Sequence, residues 1–159
     1  MAVSKAQILD EIKWFNEQLV YLRDTFITWI KEGGHEVDVL EEKINNKEEL
    51  SGTYSTFKYI MTIDKSIKII LVPYGIWIVA ARGRIDISGP SGIEKLIYLY
   101  KDGPVSTTEI KSGSFSEKTA RHLFNNIDEE GWYWYDDSII RKMIKISKET
   151  FEYLIGRIQ

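Results

Sequence analysis

Apolar residues Ile8, Ile12, Phe15, Leu19, Leu22, Phe26 and Trp29 follow one another at spacings of 4, 3, 4, 3, 4 and 3, the signature of one face of an α-helix. Ser4 supplies an N-cap and Gly33-Gly34 a stop, and neither Pro nor Gly interrupts the span between them. At 1.5 Å per residue such a helix is roughly 40 Å long, about the diameter of a domain of this size, so it must be a spine or an interface. Leu9, Trp14, Val20, Ile27 and Ile30 widen the apolar face beyond a coiled-coil seam. That width predicts packing onto a sheet or among helices; the competing use is a helix pair across a homodimer.

Farther along, Glu36 to Lys47 reads as a short polar helix, after which Ser51-Gly52 marks a change to segments rich in Ile, Val, Tyr, Phe and Thr. Tyr54 to Ile63, Ile67 to Val72 and Ile76 to Ile87 are predicted as an antiparallel meander, with turns at Asp64-Lys65-Ser66 and Pro73-Tyr74-Gly75. Ile93 to Tyr100 fits a strand by composition and a helix by the placing of Leu96, Leu99 and Tyr100, with the balance towards helix. The last third predicts helices from Ser116 to about Ile127 and from Thr150 to Ile158. Ile139 to Ile146 stays ambiguous between them. With no repeat and no low-complexity linker, residues 1–159 are expected to form a single α+β domain: a long N-terminal helix on an antiparallel sheet of at least three strands, completed by C-terminal helices.

Composition narrows the chemistry. With 43% hydrophobic and 28% charged residues the chain lies near the average for folded soluble domains, which removes support for disordered, collagen-like and membrane-spanning classes. Zero cysteines exclude disulfide frameworks, thiolate metal sites and cysteine nucleophiles. A net charge of −3 supplies no field for coating nucleic acid. The signs alternate in blocks all the same: residues 1–50 carry 6 basic and 11 acidic side chains, and residues 51–112 carry 8 and 5. Met1 to Ala6 leads into Asp10 and Glu11 without an apolar signal region, and Ile69 to Val72 is far too short to span a bilayer, so the expected location is cytoplasmic.

Three constellations could carry chemistry. Strand alternation over Ile76 to Ile87 gathers Arg82, Arg84 and Asp86 on one face, where two guanidinium forks could clamp a carboxylate or phosphate. Pairing with Asp86 and the acidic segments is their structural alternative. Immediately beyond, Ser88, Gly89 and Gly92 lie in Ser88-Gly89-Pro90-Ser91-Gly92, which could aim backbone N–H groups at an anion or serve as a tight turn; it lacks the Walker ending and the dinucleotide spacing. Trp132, Tyr133, Trp134 and Tyr135, between Asp128-Glu129-Glu130 and Asp136-Asp137, could build core or a partner surface, and the acids around them disfavour a nucleic-acid backbone. His35 is expected on the surface. His122 could act as a base but lacks an identifiable nucleophile or orienting acid, and two histidines allow no local zinc motif.

No complete catalytic constellation emerges. The pattern predicts a noncatalytic binding protein, without metal or cofactor, whose partner is another protein. The alternative is a small enzyme or ligand sensor for a phosphorylated or carboxylated molecule held in an arginine-lined cleft, with Asp86 or His122 moving protons.

Overall fold

Helix α1 spans Lys5–Glu32 and starts in a reciprocal capping box: Ser4 Oγ accepts the Gln7 N–H at 3.1 Å, and the Ser4 N–H donates to Gln7 Oε1 at 2.8 Å. It ends in a Schellman motif. Gly34 takes φ +84°, its N–H bonds Lys31 O, and the His35 N–H reaches back to Ile30 O. The computed structural model describes residues 3–103, 105–112, 115–122, 124, 127–136 and 142–159, with 105–112 and 115–122 described as backbone. Asp137, the first part of the run from Ile139 and the side chain of His122 lie outside the described residues.

Among the described residues nine strands follow: β1 (Val37–Glu48), β2 (Gly52–Ile63), β3 (Ile67–Gly75), β4 (Gly83–Gly89), β5 (Gly92–Leu99), β6 (Val105–Ser112), β7 (Phe115–His122), β8 (Gly131–Asp136) and β9 (Lys142–Lys145). Helix α2, Lys148–Ile158, closes the chain with Ser147 as its N-cap. Seven strands form one antiparallel sheet in the order β1-β2-β3-β4-β5-β8-β9, and β6 and β7 form a separate hairpin between the neighbours β5 and β8. The architecture is α+β, as the patterning predicts. The sheet is larger than three strands, and one C-terminal helix is present among the described residues where several were expected.

Both helices cover the same sheet face. Phe15, Leu19, Leu22, Phe26 and Ile30 of α1 and Phe151, Leu154 and Ile158 of α2 join Tyr59, Met61, Ile69, Leu71, Ile85, Ile87, Leu96 and Tyr98 in one core. Phe26 stacks on Phe151 at 4.3 Å, which ties the two helices together. On the opposite face a smaller cluster, Leu99, Ile127 and Tyr133, is flanked by Ile97, Phe124 and Met143.

Four local expectations are corrected. Glu36 to Lys47 is strand β1, because it lacks an apolar helical stripe and pairs residue for residue with β2 from Val37↔Ile63 to Glu48↔Gly52. Ile93 to Leu99 belongs to β5, where Glu94, Leu96 and Tyr98 alternate onto the helix-covered face, and Tyr100 lies just past its end; the helical spacing was a coincidence of three residues. Ser116 onward is the strand β7, paired with β6. Ile76 to Ile87 is not one strand. Residues 76–82 form a loop, with Ala80 at φ +66° and Val79 95% exposed, while β3 runs on through Pro73 with a bulge before Gly75. The cause is Glu48, whose carboxylate accepts the N–H groups of Ile76 and Trp77 and the Tyr54 hydroxyl, satisfying backbone donors that a ladder would otherwise take.

Gly89 and Ser91 fasten α2 to the β4–β5 turn. The Ser91 N–H donates to Ile158 O at 2.8 Å, its hydroxyl to Gln159 O at 2.6 Å, and a Cβ on Gly89 would stand 2.3 Å from Ile158 O. Gly89→Ala therefore must push back the end of α2 and is expected to cost about 1–3 kcal/mol in urea unfolding. Gly92→Ala, whose Cβ would meet nothing nearer than 3.9 Å, should stay within about 0.5 kcal/mol of the parent.

Candidate functional site

The residues singled out from the sequence do not converge on one cleft. Arg82, in the loop before β4, lies over the Trp14 ring at 3.8 Å and makes a bidentate pair with Glu11 of α1, at 2.8 and 3.1 Å. Arg84 points to the sheet face away from the helices, where it forms a bidentate pair with Asp86 and covers the Tyr74 ring at 3.7 Å. Each guanidinium fork is thus turned to a carboxylate of the same chain, the structural alternative weighed for it. Ser88, Gly89 and Gly92 occupy the β4–β5 hairpin, and the donor cradle read there faces the carbonyl end of α2.

Trp132 and Trp134 face the helices and are 4% and 2% exposed; Tyr133, on the other face, is 2% exposed and Tyr135 half-buried. Trp134 donates its indole N–H to Glu94, which also pairs with Arg157 of α2. Tyr133 donates its hydroxyl to Glu129 O at 2.6 Å. The aromatic run therefore builds two cores on the two faces of β8, and no exposed plane is made by its first three rings. His35 is on the surface, with Nδ1 2.6 Å from Asp64 Oδ2. Among the described residues, no three carboxylate or imidazole groups converge as metal ligands.

Two features that the residue patterns did not single out are the better candidates. The first is the outer edge of β1. Among the described residues no strand pairs with it, and its twelve residues run without bulge or proline. Val39 and Leu40 stand exposed on opposite faces, Leu40 at 61%. The opposite sheet edge, β9, is only four residues long.

The second is a cleft of about 370 Å³ between α1 and the β8–β9 end of the sheet. Gln18, Tyr21, Thr25 and Trp29 line it at helical spacing, one step round from the core stripe; Tyr98, Glu130, Trp132 and Lys145 supply the other wall. Its back is stiff. Gln18 Oε1 accepts the Trp132 indole N–H at 2.8 Å, the Tyr98 and Trp132 rings meet edge-on at 5.4 Å, and Trp14 stacks behind them under Arg82. Lys145 Nζ is held by the Glu129 carboxylate at 2.9 Å and by Glu130 O, directly over Gly131, whose φ of +155° and close approach to that ammonium favour glycine. Burial, reinforced by the hydrogen bond to Glu130 and its charge, pushes the Tyr98 hydroxyl up to about 12.

No protein-family model, curated protein or solved structure matches this chain. No helix among the described residues is long and apolar enough to cross a membrane.

The Tyr98 shift has a testable sign. An unfolded tyrosine releases its proton near pH 10, whereas the folded one holds it to about 12. The folded state thus binds the extra proton in that window, and stability falls as pH rises from about 10 to 12. Tyr98→Phe should flatten that part of the stability profile, measured by urea unfolding at stepped pH, and Glu130→Gln should lower the Tyr98 titration point in an ultraviolet difference titration.

Proposed function

We propose that this chain is a noncatalytic binding protein that recognises another polypeptide by taking it up as an added strand on the edge of β1. The observation that supports the reading is a twelve-residue sheet edge, flat in register and carrying exposed Val39 and Leu40. Long edges of this kind invite strand pairing unless they are shortened, bulged or covered. Main-chain hydrogen bonds would supply affinity, and the alternating side chains of β1 would supply selectivity. Residues 36–49 carry six acidic and two basic side chains, so the favoured partner is an extended segment with basic residues placed among apolar ones.

Selection of a displayed random-peptide library against the whole chain tests this. The expected binders are basic, extended peptides that slow amide hydrogen exchange within 37–48. Leu40→Lys should weaken them at least tenfold while leaving thermal stability unchanged, since an exposed substitution of this kind costs about 0.5 kcal/mol or less. Binders that protect another region would overturn the reading. So would a dimer of the free protein that buries 37–48, since the edge would then be filled by a second copy.

A further inference from the structure

We propose that the cleft between α1 and the β8–β9 end of the sheet binds a small organic cation, an amine or methylated ammonium. This inference is independent of the β1 edge. The cleft volume of about 370 Å³ falls within the range of small-molecule sites, roughly 300–1,000 Å³, which combine mostly apolar walls with a few placed polar groups. Four of its lining residues are aromatic: Tyr21 and Trp29 from the helix, Tyr98 and Trp132 from the sheet. Aromatic faces attract cations through their quadrupole, and grouped rings are the usual way proteins hold quaternary ammonium ions.

Charge selects the sign of the ligand. Lys145 is the one cationic side chain among the described lining residues, and it is engaged by the Glu129 carboxylate and Glu130 O. The Glu130 carboxylate, by contrast, lines the cleft and is paired with no ammonium or guanidinium among the described residues. A carboxylate has only acceptor oxygens to offer a ligand in the cleft. A cationic ligand can thus meet a carboxylate and aromatic rings together, whereas an anion would have to displace Glu129 from Lys145. Preformed walls favour binding without rearrangement, because the Gln18–Trp132 hydrogen bond and the Trp14–Tyr98–Trp132 packing already fix the sheet side.

Titration of the whole isotope-labelled chain with choline, with its uncharged isostere 3,3-dimethylbutanol and with benzoate, followed by the tryptophan indole N–H signals, tests the assignment. The expected result is saturable movement of the Trp132 and Trp29 signals by choline in the millimolar range or below, with the isostere and benzoate at least tenfold weaker. Glu130→Gln, at an exposed position, should abolish the preference for choline over the isostere, and Tyr21→Ala should weaken choline severalfold. Both variants keep the buried residues of the core, and unfolding curves matching the parent would confirm that loss of binding is local. Equal binding of choline and its isostere, preferential binding of benzoate, or no movement of either indole signal would overturn the proposal.

Discussion

Phe15, Leu19, Leu22, Phe26 and Ile30 lose nearly all contact with water only because a seven-stranded sheet passes beneath them, and the rest of the molecule is arranged around that burial. Each such side chain contributes roughly 1.5–3 kcal/mol when removed from water, so α1 acts as a shared lid over several strands. The lid leaves its mark on the cleft as well. Residues one step round from the buried stripe cannot reach the core and cannot fully face water, and Gln18, Tyr21, Thr25 and Trp29 occupy that margin.

Carboxylates do much of the internal fastening. Glu48 gathers the N–H groups of Ile76 and Trp77 and the Tyr54 hydroxyl, Glu11 fixes Arg82 against Trp14, Asp86 holds Arg84, and Glu94 joins Trp134 to Arg157. Half-buried ions are stable when their lone pairs and protons are met in this way. It follows that acidic side chains from the acid-rich and the basic stretch alike serve the interior wiring of this chain as well as its surface charge.

Periodicity made α1 legible to the residue, including Ser4 and the Gly33-Gly34 stop, because the core stripe and both caps are local properties. The β2 strand and most of α2, predicted from Thr150 to Ile158, were legible for the same reason. Glu36 to Lys47 misled because an edge strand exposed on both faces has no reason to alternate. The break at residues 76–82 was hidden because it depends on Glu48, nearly thirty positions away. The cleft was harder still. Tyr98, Glu130 and Lys145 come from three separate segments that meet only through the β5–β8–β9 pairing, and the one local hint was the polar-aromatic flank of α1. For Arg82 and Arg84 the alternation put both on one face of a single strand, whereas Arg82 lies in the loop before β4 and turns to Glu11 on the helix side while Arg84 turns to Asp86 on the other face.

The position of α1 ahead of every strand has a consequence for how the chain comes into being. During synthesis the helix leaves the ribosome before any of the surface that will receive it exists, so for a time its apolar stripe has nothing to rest on. The capping box at Ser4 and the glycine turn at Gly34 draw only on neighbouring residues, and can therefore frame the helix during that interval. The strands from β2 to β5 then arrive largely in the order in which they pair, and the newborn sheet can grow against a template that is already in place.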